Sequence, residues 1–396
     1  MIDKSTLKGA CIVGQSGGPS SVINASLYGI VKQAMQEEAI TRVYGAVYGI
    51  KGLLRGELMD FSEEDEAEID LLPTTPSSAL GSCRYKLNDA ETDESDYIAI
   101  LELFKKYDVR YFYYIGGNDS MDTCDKLNKY FKSVGYDCRV MGVAKTIDND
   151  IYGTDHCPGY GSAAKYVAST FMEIFQDATV YDIPQVVIVE VMGRNAGWLT
   201  AASALASHYG DGPDFIYLPE VPFDLEDFLC KVEDRIKYDR TVVVAVSEGI
   251  RDENGTYISE YDSLKKDTDS FGHVQMGGLA ATLKEMIKER VNVKVRGIEL
   301  SLLQRCAAHI ASETDMEEAI KVGKKAVCAS IDGMSGYMVG LKRISNEPYE
   351  TDFEMIDLSK AANFEQTVPL SWIGEDKCSV TEDFIKYAAP LIKGET

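Results

Sequence analysis

Short runs of consecutive apolar residues recur along the chain, separated by longer stretches of mixed polarity. They lie at 10–13 (ACIV), 110–115 (RYFYYI), 139–143 (RVMGV), 185–191 (QVVIVEV) and 241–246 (TVVVAV). A strand with one solvated face alternates apolar and polar positions; these runs are nearly continuous, which predicts strands covered on both faces. Helical stretches lie between them, which predicts an α/β chain with mostly parallel sheets. Two of the runs lead into glycine-rich turns that open helices, in GQSGGPSSVINASLYGIVKQAM and GGNDSMDTCDKLNKYF. Such turns lie at the carboxyl ends of strands, where open α/β sheets bind their ligands.

The acidic stretch Ser62 to Asp70 and the segment Ala90 to Tyr97 read as solvated faces or loops. The charged stretch Arg251 to Ser270 reads as an insertion between a strand end at Ser247-Glu248-Gly249 and a helix beginning near Gly277. No internal repeat is visible. At 396 residues, the chain is long enough for two hydrophobic cores.

Charge narrows the choice of partners. The formal net charge of −24 repels nucleic-acid backbones and anionic lipid surfaces over about 8–10 Å at cellular salt. No nucleic-acid or membrane partner is expected. A site for phosphates must gather Arg and Lys against that field. The nine cysteines occur without a CxxC pair or zinc-like spacing and read as reduced thiols. The start MIDKSTLKGACIVG runs straight into a strand, and no apolar run approaches the ~20 residues of a membrane span, so a cytoplasmic soluble protein is expected.

Three polar turns carry candidate chemistry. In Gly14-Gln15-Ser16-Gly17-Gly18-Pro19, backbone N–H groups can approach an anion at a helix N-terminus, although glycine pairs serve tight turns as readily. Gly116-Gly117-Asn118-Asp119-Ser120 adds oxygen side chains suited to phosphate and magnesium chemistry, or to helix capping. Lys145-Thr146-Ile147-Asp148-Asn149-Asp150 sets two carboxylates, an amide, a hydroxyl and an ammonium after the run that ends at Val143. Its place at a strand end favours a ligand site over a chance surface loop.

KTIDND, MGRNAGW at Met192 to Trp198 and the turn Gly116 to Ser120 occur in an order that resembles the phosphofructokinase family, over roughly Ala10 to Gly340. The resemblance implies two Rossmann-like three-layer α/β/α domains with mostly parallel sheets and an active site in the cleft between them. A donor-binding domain of 1–158 plus about 306–350 and a sugar-phosphate domain of 159–305 plus about 351–396 are expected. It implies that Asp148 is the proton acceptor for the sugar 1-hydroxyl, flanked by Thr146, Ile147 and Asp150. Met192, Gly193 and Arg194 match the sugar-binding turn, with Arg194 also reaching the transferring group. Glu248 matches a sugar-hydroxyl acceptor, and Arg296 and Arg305 match the arginines that hold the 6-phosphate. Leu302 stands where the family usually has His or Tyr. Gln185 stands where bacterial members often have an arginine that reaches a neighbouring subunit. His273, in a superficial imitation of the family's HxQRGG, is expected to lie outside the site.

The donor choice rests on Asp119 and Lys145. ATP-using members resemble GGDGS in the second turn and carry Gly at the position of Lys145. A carboxylate at Asp119 would repel the α-phosphate of a nucleotide, and Lys145 would neutralise a short donor. By resemblance Gly17 and Arg84 complete the donor site, and Asn118 stands where the family has an Asp ligand for Mg2+; an amide oxygen can take that place without charge. Inorganic diphosphate is therefore the expected donor, fructose 6-phosphate the acceptor, Mg2+ the cofactor, and a homodimer or homotetramer the expected assembly. The other readings are an ATP-dependent enzyme, a sedoheptulose 7-phosphate kinase, and a regulatory subunit that binds sugar phosphate without catalysis.

Overall fold

The computed structural model describes residues 7–261, 278–362 and 364–396. Eleven strands lie within them: β1 (Gly9–Gln15), β2 (Ile40–Ala46), β3 (Leu58–Asp60), β4 (Val109–Gly116), β5 (Arg139–Ala144), β6 (Gln185–Val191), β7 (Phe215–Tyr217), β8 (Thr241–Ser247), β9 (Lys294–Glu299), β10 (Tyr337–Asn346) and β11 (Tyr349–Asp357). They form a seven-stranded sheet in the order β11-β10-β5-β4-β1-β2-β3 and a four-stranded sheet in the order β7-β8-β6-β9. The smaller sheet is parallel throughout. The larger is parallel in its centre, with an antiparallel strand at each edge.

The continuous apolar runs become strands whose two faces enter different cores. Along β1, Ala10 and Ile12 join one cluster, with the helices Ser95–Lys106 and Asn118–Ser133. Cys11 and Val13 join the opposite cluster, with the helices Ile23–Ala34 and Glu313–Ile331. Along β6, Val187, Val189 and Val191 face one core, and Val186 and Ile188 face another. Every residue of β1, β6 and β8 is buried, which is why none of these runs alternates with polar residues. The fold is α/β with helices on both faces of mostly parallel sheets, in two layered units.

The expected division of the chain needs one correction. Residues 351–357 do not leave with the second unit, because β11 pairs antiparallel with β10 from Asn346↔Tyr349 to Tyr337↔Asp357 and closes the edge of the larger sheet. Leu358 and Ala361 then pack into the larger sheet's core. Only from Val368 onward does the chain enter the core of the smaller sheet, through Ile373, Phe384, Ile385, Tyr387 and Leu391. His273 lies outside the described residues.

Candidate active site

A cleft of about 950 Å³ opens between the two units at the carboxyl ends of their strands. Its first wall comes from the turn after β1. Gln15 holds this turn to the 78–84 loop by accepting hydrogen bonds from Ser78 Oγ (2.7 Å) and the Leu80 N–H (3.0 Å). Ser82 Oγ donates to the Gly17 carbonyl at 2.6 Å, and the Gly17 N–H donates to the Cys83 carbonyl at 3.1 Å. Arg84 is thereby carried to Gly17, although 67 residues separate them in the sequence (84 − 17). Gly17 adopts φ +76°, a conformation that disfavours any side chain. At Gly18 a Cβ would stand 2.7 Å from Arg305 Nη1, so the backbone must be bare for that arginine to reach across the cleft.

The second and third turns interlock with the first. The Lys145 N–H donates to the Gly116 carbonyl at 2.9 Å, and Lys145 Nζ donates to the Gly18 carbonyl at 2.5 Å. The Asp148 N–H donates to Thr146 Oγ1 at 3.1 Å. Asn149 takes a left-handed conformation (φ 57°), which Asn tolerates better than most residues. Its amide is anchored on both sides: Oδ1 accepts from the Cys157 N–H and Nδ2 donates to Tyr387 Oη, each at 2.8 Å. Asp148 and Asp150 both line the cleft as a result.

Behind this loop lies a buried charged cluster. His156 Nδ1 lies 2.8 Å from Asp155 Oδ1, and Nε2 lies 2.7 Å from Glu318 Oε2. Glu318 also accepts from Tyr349 Oη and Thr351 Oγ1, and Arg343 donates to Asp155. Burial alone would push the imidazole down, but the two carboxylates carry it up to about 9. The base of the loop thus rests on an imidazolium clamped between two acids.

Electrostatics single out Asp148. Burial raises its proton affinity, while Lys145, Arg305 and Arg194 oppose that rise. Asp150 is pushed up to about 7 by burial and by the charges of Asp148 and Glu365. Lys145 is lowered to about 8, chiefly by burial, with Asp148 opposing and Arg305 and Arg84 adding to the fall. A carboxylate faced by three cations in a buried site can accept a proton while the cations hold an anionic reacting group.

The third wall belongs to the smaller sheet. The Met192 N–H donates to Gln304 Oε1, and the Gly193 N–H donates to Glu248 Oε1, each at 3.2 Å. Burial lifts the Glu248 carboxyl to about 7, against that N–H. Gly17, Arg84, Asn118, Asp119, Lys145, Thr146, Ile147, Asp148, Met192, Arg194, Glu248 and Arg305 all line one cleft. Gly193 lies just behind it.

Two residues fall elsewhere. Arg296 projects from β9 to Asp177, 3.0 Å away, and lies over the Tyr181 ring. Leu302 is 54% exposed and also off the lining. The reason for Arg296 is the strand's pleat: Val295 is buried, and its neighbour Arg296 points to the opposite face. Gln185 is buried and donates to the Ala178 carbonyl, so it does not project toward a neighbour. Glu365, Phe364, Asn195 and Tyr257 line the cleft as well. Glu365 is placed there by a bridge to Ile151 and by the Gln366 N–H donating to the Asp150 carbonyl at 2.7 Å. No local pattern marked it, because only the return of the chain from β11 brings it in.

The residues also bear on magnesium. Asn118 Nδ2 donates to Asp150 Oδ2 at 3.0 Å, which leaves Asn118 Oδ1 buried without a hydrogen-bond partner among the described residues. No group of three or more acidic, His or Cys side chains is poised to hold a metal among them. Asn118 Oδ1 is a neutral oxygen of the kind that fits a magnesium ion keeping several waters and taking its other oxygens from a bound phosphate. Among the described residues, no helix is long and apolar enough to cross a membrane.

Known proteins resemble the whole chain. The family model described as Phosphofructokinase matches residues 10–329. A pyrophosphate–fructose 6-phosphate 1-phosphotransferase from Halomonas elongata is 42% identical, over 96% of this chain and 91% of that protein. One of the same name from Xanthomonas campestris is 43% identical, over 98% and 92%. The crystal structure of a pyrophosphate-dependent phosphofructokinase from Nitrosospira multiformis superposes with a TM-score of 0.88 at 38% identity, covering 98% of this chain and 93% of that one.

Proposed function

Because this chain belongs to the phosphofructokinase family, we propose that it transfers a phosphoryl group reversibly from diphosphate to the 1-hydroxyl of fructose 6-phosphate, giving fructose 1,6-bisphosphate and phosphate. The observation that carries this reading is the half-buried carboxylate of Asp148 in the cleft, facing the charges of Lys145, Arg305 and Arg194. Asp148 accepts the hydroxyl proton as the oxygen attacks the donor phosphorus. A carboxylate suffices, because in a loose phosphoryl-transfer transition state the proton leaves late. Lys145 and Arg84 neutralise the donor and the phosphate it leaves; Arg305, which the resemblance assigns to the sugar's 6-phosphate, feels the charge of Arg84 and acts at both ends, and Arg194 reaches the group in flight. Glu248 accepts from a sugar hydroxyl, and the Met192 and Gly193 backbone fixes the sugar face.

Asp119 and Lys145 select the donor together. Asp119 sits exposed to the cleft in the first turn of the helix Asn118–Ser133, where it confronts any phosphate beyond the second. Magnesium, held through Asn118 Oδ1 and water, would screen the donor's charge. Donor groups come mainly from the larger sheet and sugar groups from the smaller, so closure of the two units would exclude water from the reaction.

A homodimer or homotetramer in the cytoplasm completes the proposal. Arg296 lies among the exposed side chains Val180, Tyr181 and Ile183, a surface suited to a second copy, whose cleft Arg296 would then enter to hold the 6-phosphate. The test is a coupled assay for fructose 1,6-bisphosphate with the purified chain, diphosphate and magnesium. Product formation is expected; its absence with either diphosphate or ATP would support a regulatory subunit instead.

A further inference from the structure

Beside the cleft lies a second basin of about 450 Å³, lined by Tyr48, Lys51, Arg55, Ser82, Cys83 and Arg84. Cys83 and Arg84 line both cavities, so the basin adjoins the donor end. Its far wall is one stripe of the helix Gly49–Arg55 and its cap: positions 48, 51 and 55 are spaced i, i+3, i+7 and share a face. Three cations and a phenol face it, and no acidic side chain is among its lining residues. Lys51 makes no ion pair among the described residues, and Arg55 has only Glu57, at 3.9 Å between two exposed side chains. On a chain of net charge −24, such a basin is a local reversal of the field at the mouth of a site that must admit a phosphate anion.

We propose that this basin is a second phosphate-anion site, a vestibule in which Lys51, Arg55 and Tyr48 hold an inorganic phosphate before Arg84 passes it inward or after Arg84 releases it. The ligand chemistry is a tetrahedral phosphate oxyanion, met by two Arg forks, an ammonium and a phenol hydroxyl. Two sources share it, the free orthophosphate product and the diphosphate donor. The direction of traffic rests on the proposed diphosphate reading, whereas the binding itself does not.

The experiment is a calorimetric titration of the full chain, without sugar or metal, first with orthophosphate and then with methylenediphosphonate. The native chain and Lys51→Ala/Arg55→Ala are compared, with Lys51→Gln/Arg55→Gln as a second variant. Both side chains are exposed, and thermal melts check that the fold is kept. The native protein is expected to bind one more equivalent of titrant per chain than either variant, the remaining binding keeping its affinity within about twofold. The titrant whose additional equivalent disappears identifies the occupant. Turnover supplies an independent arm: kcat/KM for diphosphate should fall about 3–10-fold in the variants at low salt and converge with the native value near about 0.5 M salt. Equal stoichiometry in the native chain and both variants, or loss of all binding in the variants, would overturn the proposal. Two-site binding in a chain that turns over no diphosphate would defeat the donor reading and leave the basin standing.

Discussion

At the donor end of the cleft, Lys145, Arg84 and Arg305 converge from three distant segments of one chain, and each feels the charge of another. At the proposed sugar end, Arg194 and Glu248 line the cleft, but Arg296 lies on an outer face against Asp177 and Leu302 is turned to solvent. Both ends use the same device, a strand that stops in a polar turn. They differ in the direction from which the strand presents its arginines. Lys145 directly follows β5, whereas Arg84 and Arg305 arrive on the 78–84 loop and the helix Leu303–Cys306, so none of the three is turned by a strand's pleat. Arg296 lies inside β9, whose pleat sends alternate residues outward, so motif position alone could not tell on which side it would emerge.

Asp148 sits where the two ends meet, and removing its carboxylate should have the largest effect. Asp148→Asn keeps the shape and deletes the base; kcat should fall about 10²–10⁴-fold while both KM values stay within a few fold. A fall of less than tenfold would mean that another group takes the proton.

In the proposed assembly, the outward Arg296 would serve the sugar end of a second copy. Arg296→Ala should raise KM for fructose 6-phosphate about tenfold and leave KM for diphosphate unchanged. Arg305→Ala should instead disturb both, since its guanidinium reaches Gly18. Mixing refolded Asp148→Asn and Arg296→Ala chains pairs an intact base with an intact arginine in one site of each mixed dimer, so roughly a quarter of native activity should return. No recovery would confine Arg296 to its own chain.

Asn118 sharpens the donor end. Asn118→Asp should lower the magnesium concentration needed for half-maximal rate by several fold, because a charged oxygen replaces a neutral one. An unchanged magnesium titration would remove Asn118 from the metal's surroundings.

The smallest expected effect concerns stability beneath both ends. His156 has its proton affinity raised in the folded chain, from an ordinary value of 6.5 to about 9. The stabilisation is therefore fully present below pH 6.5 and is lost as pH rises through about 9. Thermal stability should decline across that window by at most about 3.5 kcal/mol, and His156→Gln, less stable at neutral pH, should flatten the decline. A native melt that is level from pH 6 to pH 9.5 would remove the imidazolium from the account.

Much of this was legible beforehand for physical reasons that differ between elements. β1, β4, β5, β6 and β8 could be read because burial on both faces leaves an unbroken apolar run. β11 could not, because as an edge strand it alternates half-buried and exposed residues, and its pairing with β10 set the chain division too early at 350. Tyr97, read as part of a solvated segment, is buried against Tyr130. The turns at Gly17, Asn118 and Lys145 were visible as glycine and polar clusters at strand ends. Glu365 was not, because a lone carboxylate far along the chain carries no local signal until the fold returns it to Asp150.

Asp119 and Lys145 together are proposed to make the donor end a diphosphate site. The most direct measurement is kcat/KM for diphosphate and for ATP, in parallel, on the native chain and on Asp119→Gly/Lys145→Gly. Turnover of diphosphate alone by the native chain is expected, with the double variant losing diphosphate efficiency by about 10²-fold or more and beginning to accept ATP. Native turnover of ATP without diphosphate would contradict the account.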